Sequence, residues 1–305
     1  MNFQQLEYIV TLDQYRHFAA AAKKCFVTQP TLSMMVQKLE QELGVLIFDR
    51  SKKPITPTIQ GRKIIEQAKV ILNQKSHLLE IIKQEKESIS GEIKIGIIPT
   101  LSPYLVPLFL KELTQKCPLL QLRIEEINTE DIIKKLKTGQ LDVGLLATPL
   151  NASNIIELPL FYENFFIYTN KTEKNIQESL SPEQIDPDQL LLLEEGHCLR
   201  SQVLNLCQFQ RKQDAGFSFK SGSLETLKRL VETNQGITIL PELAIKWVDK
   251  KRVIPFKSPA PQREISLVTH QSFIKERILK CLYEEIRGQL PTKIRQNKKV
   301  NVTPI

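Results

Sequence analysis

The stretch Val27-Thr28-Gln29-Pro30-Thr31-Leu32-Ser33 reads as the opening of a helix with one apolar and one polar side. Thr28 is a good N-cap, and Pro30 falls in the first turn, where its missing N–H would have had no intrahelical partner anyway. Leu32, Met35, Val36, Leu39 and Leu43 then line one face, and Gly44 ends the helix. Upstream, Phe3, Leu6, Ile9 and Val10 recur at helical spacing, and the Ala-rich run Phe18 to Ala22 makes a short helix that a neighbour can approach closely. Three short helices joined by tight turns form a helix-turn-helix unit.

The face opposite the apolar stripe carries Pro30, Met34 and Gln37, flanked by Thr31, Ser33 and Lys38. A helix of this kind fits the DNA major groove, where base edges carry distinct donor and acceptor patterns. Gln29 and Gln37 suit an adenine edge, and Thr31 and Ser33 a base or a phosphate. Residues 45–58 read as a wing, with a strand from Val45 to Phe48 followed by Asp49-Arg50-Ser51-Lys52-Lys53-Pro54. Arg50, Lys52 and Lys53 there would meet backbone phosphate rather than bases. A solvated amphipathic helix shows the same pattern, so the helix alone leaves both readings open.

From Ile59 to Ile89 a long helix is expected. Ile64, Ala68, Ile71, Lys75, Leu78 and Ile82 alternate in steps of four and three, with Ile65, Leu72 and Leu79 beside them. That heptad seam suits pairing with a second copy, though a helix packed on its own domain also accounts for it. Ser90-Gly91 marks a boundary, beyond which strands and helices alternate. Strands are expected at Glu92 to Pro99, Leu119 to Ile127 and Asp142 to Ala147, with helices at Leu101 to Lys116 and Thr129 to Lys137. A second cycle follows: an extended run from Leu158 to Tyr168, a buried strand Leu190 to Leu193, and a helix Leu224 to Thr233. After it come a strand Gly236 to Leu240, a helix opened by Pro241, a strand Ile265 to Thr269 and a last helix Ile274 to Arg287. Such alternation implies an α/β fold with a parallel sheet, in two lobes with a ligand cleft between them. The expected organisation is therefore 1–58 winged helix-turn-helix, 59–89 linker and dimerisation helix, 90–290 two-lobed effector domain, and 291–305 a basic, disordered tail.

Bulk properties agree with two domains, since 305 residues exceed one compact core. A net charge of +8 favours a polyanionic partner such as DNA, although Lys293, Arg295, Lys298 and Lys299 in the tail supply part of it. The N-terminus lacks a basic segment followed by an apolar core, and no apolar run approaches the roughly 18 residues that span a bilayer, so a cytoplasmic protein is expected. Five cysteines are too few for a disulfide framework, no His/Cys/Asp cluster has metal spacing, and no Gly-rich phosphate loop is present. Neither metal nor cofactor is expected.

One cysteine stands out by its surroundings. In Gly196-His197-Cys198-Leu199-Arg200 the thiol sits at the start of an expected helix, Arg200 to Phe209, with His197 and Arg200 adjacent. A helix N-terminus and cationic neighbours lower a thiol's pKa, and the thiolate is the form that attacks peroxide. A second thiol, Cys207, lies nine positions on, a spacing that says little alone. Cys25, Cys117 and Cys281 have plain structural readings, Cys281 as core of the last helix.

Residues 1–65 resemble the winged helix-turn-helix of LysR-type regulators. The match is carried by Phe18 and Ala22, Val27 to Ser33, Leu39-Glu40, Glu42-Leu43-Gly44, Phe48 and Arg50, and Thr58 and Gly61. Met34-Met35 departs from the small or polar residues usual there. The resemblance implies DNA-contacting roles for Gln29, Pro30, Thr31, Ser33, Gln37, Lys38, Arg50 and Lys53. Gly196 to Arg200 with Cys207 resembles the peroxide-responsive OxyR branch of that family. So do Ile98-Pro99-Thr100, Ser223 to Leu227, and Gly236-Ile237-Thr238 with Leu240-Pro241. It implies a regulator, not an enzyme, that activates oxidative-stress genes, with Cys198 as peroxidatic and Cys207 as resolving thiol. Thr100, Thr129, His197 and Arg263 would surround the peroxide. Its implied partners are double-stranded DNA, hydrogen peroxide, further copies of the chain (dimer or tetramer), RNA polymerase and cellular thiol reductants. The run Gln208 to Gln213 departs from the branch's pattern. The competing expectation is a LysR-type regulator of a small organic effector held in the cleft, its cysteines inert. If residues 198–207 are helical, their Cα atoms lie about 13 Å apart at 1.5 Å per residue. A disulfide needs roughly 7 Å or less, so bonding would require this segment to unwind.

Overall fold

A computed structural model of the chain describes residues 1–83, 89–170, 178–207, 222–233 and 236–305. Two compact units emerge, one from Met1 through the long helix and one beginning at Ser88. The expectations for Gln208 to Gln213, for the linker helix beyond Lys83 and for the side chains of Leu79 and Ile82 lie outside the described residues.

In the first unit, α1 (Phe3–Tyr15), α2 (Phe18–Lys24) and α3 (Gln29–Leu43) surround a core of Leu6, Ile9, Leu12, Ala22, Leu32, Val36 and Leu39. Asn2 and Gln5 form a reciprocal capping box on α1, Thr28 caps α3, and Gly44 ends it in the left-handed conformation, φ +67°. The wing strand is shorter than expected: β1 (Phe48–Asp49) pairs with β2 (Thr56–Pro57), while Val45 to Ile47 stay irregular. The reason lies in Glu40. Its buried carboxylate accepts the Ile47 and Phe48 N–H groups at 2.8 and 3.1 Å, which satisfies that backbone without a strand partner. At the start of α4 (Ile59–Lys83) the Thr58 hydroxyl donates to the Leu46 carbonyl and accepts from the Gly61 N–H. A methyl group on Gly61 would stand 1.9 Å from the Ile47 carbonyl oxygen, so only glycine fits this junction.

The seam on α4 is only partly open. Ile65 and Ala68 are fully buried in the first unit's own core, with Ile64, Ile71 and Leu72 packed against it. Lys75, a blemish in a heptad, pairs with Glu7 at 2.9 Å and lies over the Phe3 ring. Among the described side chains of α4, Ile59 and Leu78, 82% and 64% exposed, are left open to another surface.

In the second unit, β3 (Gly91–Ile97), α5 (Ser102–Lys116), β4 (Leu120–Glu126), α6 (Thr129–Lys137) and β5 (Val143–Thr148) give the expected alternation, and β3 runs parallel to both β4 and β5. The long β6 (Ile155–Thr169) then changes neighbours along its length. Its first part pairs antiparallel with β9 (Gln262–His270), which also pairs antiparallel with β5. Its last part pairs with β7 (Ile237–Pro241) and β8 (Val253–Pro255). The strand order is β4-β3-β5-β9-β6-β7, with β8 also on β6. Thus β6 and β9 tie the two lobes together, and the sheet is mixed rather than wholly parallel. Between these strands in sequence lie α7 (Cys198–Cys207) and α8 (Leu224–Glu232). α9 (Glu276–Gln289) follows β9.

Three expectations need correction here. Leu190 to Leu193 is not a strand, because only Leu190 bridges to Ile237, with the Leu191 N–H on the Ile237 carbonyl. Pro241 opens a 3-10 segment, Glu242–Trp247, rather than an α-helix. Residues 291–305 are not a disordered tail. They begin with α10 (Thr292–Gln296), which buries Ile294, and then run back along the effector unit. The Gln262 N–H donates to Asn301, the Thr303 N–H to Gln262, and the Gln202 side chain on α7 to the Thr303 carbonyl at 3.1 Å. Charge count misled the reading. The lysines are spaced so that Ile294, Val302 and Thr303 can turn inward.

Removing residues 297–305 leaves the buried Gln202 amide unpaired and exposes apolar surface, a loss of roughly 2–4 kcal/mol. The thermal midpoint of the effector unit should fall by roughly 5 °C or more by circular dichroism. An unchanged midpoint would contradict the docked tail.

Candidate functional site

Gly196, at φ +94°, turns the chain into α7 in a conformation that residues with a side chain rarely adopt. Cys198 opens the helix and Cys207 closes it, both buried and free. Leu199 and Val203 on the same helix join the effector core, and Gln202, fully buried, holds the C-terminal segment.

The cation that acts on Cys198 is not the expected neighbour. Arg200 turns away and donates to the Leu193 carbonyl at 2.7 Å. His197 lies toward Glu194, 3.9 Å away, and a side chain added at Gly222 would meet its Nε2 at 3.3 Å. Burial pushes the His197 pKa down against the pull of Glu194 and Glu126, so the imidazole is neutral near pH 7. The charge beside Cys198 comes instead from Arg263 on β9. Burial pushes the Cys198 thiol's pKa up, while the Arg263 charge, the Thr129 hydroxyl and the Leu199 N–H pull it back. Cys207 has no such help: burial, with Glu183 nearby, pushes it up to about 12. Both groups are therefore protonated thiols at rest, the reverse of the low-pKa thiol expected from Cys198's position and neighbours. Only Cys198 has groups around it that favour the anion.

Arg263 is itself held on all sides. It stands opposite Glu163 in the β6–β9 register, and its Nε donates to Glu163 Oε1 at 2.8 Å. Nη1 donates to Thr100 Oγ1 at 3.1 Å and Nη2 to the Thr100 carbonyl at 3.3 Å. Glu163 also accepts the Leu243 N–H at 2.8 Å, and neither member of the ion pair is exposed at all. Thr129, at the N-terminus of α6, has a buried Oγ1 with no well-formed hydrogen bond, yet stands close enough to Cys198 to favour its thiolate. Arg263 and Thr129 thus act on Cys198, and Thr100 is linked to them through its hydrogen bonds with Arg263. The His197 side chain does not join them through any contact described. Glu163, which positions Arg263, was missed, since no motif surrounds it and only the strand register pairs it with an arginine 100 positions away.

On the first unit, Gln29, Pro30, Met34, Gln37 and Lys38 are exposed on α3, and Thr31 and Ser33 half-buried. The Thr31 hydroxyl is bonded to that of Thr28 at 2.8 Å and so takes part in the cap. Arg50 is largely spoken for: it pairs with Glu40 at 2.8 Å and lies over the Phe18 ring. Lys53 is exposed in the wing loop between β1 and β2.

The comparisons follow the same division. The model described as "Bacterial regulatory helix-turn-helix protein, lysR family" matches residues 3–62, and "LysR substrate binding domain" matches residues 86–291. The chain belongs to the LysR family of bacterial regulators. Among its relatives, the hydrogen peroxide-inducible genes activator of Dickeya chrysanthemi is 38% identical over 273 residues, 88% of this chain and 89% of the relative. A full-length OxyR from Pseudomonas aeruginosa carrying a cysteine-to-aspartate substitution is 36% identical with a TM-score of 0.78, covering 94% of this chain and 98% of that one. An H2O2-bound cysteine-to-serine mutant of OxyR from Corynebacterium glutamicum is 29% identical, TM-score 0.61, covering 93% and 91%.

Raised thiol pKa values fix the sign of a pH effect. The folded state keeps Cys198 and Cys207 protonated where the unfolded chain has begun to ionise them. Their contribution to stability is full below the ordinary thiol range, near 8.5, and is lost as pH rises toward about 12 for Cys207. Native-state alkylation of Cys207 by iodoacetamide should therefore still be climbing at the top of the accessible pH range. A plateau below pH 9 would contradict the burial described here.

Proposed function

We propose that this chain is a peroxide-sensing, DNA-binding transcription regulator, switched by a reversible bond between Cys198 and Cys207. The observation that carries the reading is a buried thiol flanked by a fixed guanidinium, Arg263, and by the Thr129 hydroxyl, which makes no well-formed hydrogen bond elsewhere. In the reaction, the Cys198 sulfur attacks one oxygen of hydrogen peroxide. The S–O bond forms as the O–O bond breaks, and the departing hydroxide takes the thiol proton and leaves as water. Arg263 stabilises first the thiolate and then the leaving hydroxide, and Thr129 and Thr100 offer hydroxyls to the peroxide oxygens. A neutral His197 at the helix start suits a hydrogen-bonding role better than a charged one. Cys207 then attacks the Cys198 sulfur, the S–O bond breaks, and a second water departs. Cellular thiol reductants return two electrons and two protons to restore both thiols.

Because the two cysteines end one helix, bonding requires α7 to unwind, which converts a local oxidation into a change of shape. In this reading residues 1–58 bind duplex DNA through Gln29, Pro30, Thr31, Ser33, Gln37, Lys38 and Lys53, while Arg50 mainly anchors the wing. Residues 59–89 pair with a second copy, dimers associate into a tetramer, and the oxidised form activates stress-defence promoters with RNA polymerase in the cytoplasm. Among the described residues no helix is long and apolar enough to cross a membrane. An organic carboxylate effector fits this centre less well, since Glu163 and Thr100 already satisfy Arg263.

Two outcomes test this. After mild peroxide, mass spectrometry should find Cys198 bonded to Cys207, and Cys198→Ser should lose the peroxide-dependent change in DNA contacts while its reduced-state binding persists. Equal responses from mutant and parent refute the switch. Lys53→Ala should weaken DNA binding uniformly across sequences and reduce the salt dependence of log K by about one unit of slope. An unchanged salt slope removes Lys53 from the interface.

A further inference from the structure

The mechanism leaves two buried thiols unused. Cys117 caps the C-terminal end of α5, and Cys281 lies in the middle of α9, which packs against α5. They are 164 positions apart in sequence, yet their sulfurs are 3.2 Å apart, inside van der Waals contact, and both residues are buried. Either thiol can donate to the other, and both belong to the effector core. The ion pair between Lys116 and Glu285, 3.0 Å long and largely exposed on the lysine side, lies beside them and marks the nearby surface.

We propose that Cys117 and Cys281 form a second oxidisable dithiol, one that closes to a disulfide within the existing fold. The contrast with α7 is geometric. A disulfide sulfur–sulfur bond is ~2.05 Å, so these sulfurs need to close by only about 1.2 Å, which side-chain rotation supplies. No helix has to unwind. The reaction takes one hydroperoxide per pair. One sulfur attacks a peroxide oxygen, the O–O bond breaks, and water leaves a sulfenic acid. The other sulfur attacks that sulfur, the S–O bond breaks, and a second water leaves with the remaining thiol proton. The bond would staple α5 to α9, closing a long loop of the effector unit, and its effect would be to stiffen that unit rather than to switch it.

Its rate should be the slower of the two. Burial and the adjacent Cys117 push the Cys281 pKa up to about 11, with Lys116 pulling slightly back, so the reactive thiolate is scarce at neutral pH and grows about tenfold per pH unit. This pair should therefore oxidise at higher dose and faster in mild alkali. The inference does not require the Cys198–Cys207 bond, because it stands on a separate sulfur contact.

The test uses the full-length chain and its Cys198→Ser variant, each treated with graded hydrogen peroxide, denatured, and alkylated with N-ethylmaleimide before peptide mapping. The expected result in both proteins is a linked peptide pair containing Cys117 and Cys281, about 2 Da lighter than the two free peptides. It should disappear on dithiothreitol treatment and be absent from Cys117→Ser. The thermal midpoint of oxidised Cys198→Ser should rise by several degrees, and that rise should be lost in Cys198→Ser/Cys117→Ser. Complete alkylation of Cys117 and Cys281 in mild alkali at doses well above those that fully convert Cys198 would overturn the proposal, as would sulfinic acid at either site without the link. Failure of Cys198 to react would count against the proposed function instead.

Discussion

Cys198 and Cys207 occupy the two ends of one helix, and the backbone hydrogen bonds that make α7 are what hold their sulfurs apart. Its rise of 1.5 Å per residue sets the ends about 13 Å apart, nearly twice the reach of a disulfide. Three contacts of the effector unit bear directly on whether that helix stays formed. Leu199 and Val203 tie it to the core, Gln202 ties it to the C-terminal segment, and Arg200 ties its first turn to the Leu193 carbonyl. Oxidation must outweigh all of these at once. A bond that simply closed in place would leave nothing for the rest of the molecule to sense.

The second constraint is the buried pair Arg263–Glu163. A guanidinium with no exposed surface is costly unless its charge and its donors are met, and here Glu163 and Thr100 meet them. The pair joins the two long strands that link the lobes, so the same contact that fastens β6 to β9 also aims a positive charge at Cys198. Reactivity and architecture therefore share one interaction. Loss of either partner strands a buried charge, at a cost of about 3–5 kcal/mol, and removes the anion-stabilising group together with the strand contact.

Much of this was legible in the sequence, and the gaps have physical reasons. The helix-turn-helix could be read because caps, an apolar stripe and a terminating glycine are local signals. The α/β alternation and the helix bearing the two thiols were also local. What could not be read was contact across the chain. Arg200 and His197 looked like the cations nearest Cys198 because they are adjacent in sequence, whereas the charge arrives from β9, and burial, invisible in a local window, raises the thiol's pKa. Glu163 carried no signal at all. The basic tail looked solvated because lysines dominate it, while a few inward residues, Ile294 and Thr303 among them, determine its path. Arg50, read from the sequence as a phosphate ligand, also pairs with Glu40, a contact that no local window shows. The heptad on α4 was real as a pattern, but half of it serves the helix's own domain.

The most direct measurement of the central claim is hydrogen–deuterium exchange of the α7 amides, Leu199 to Cys207, before and after peroxide. The account predicts slow exchange in the reduced protein and near-complete loss of protection once Cys198 and Cys207 are joined. Protection that persists in the bonded form would mean the two sulfurs meet without the helix opening, and the proposed link between oxidation and shape would be wrong.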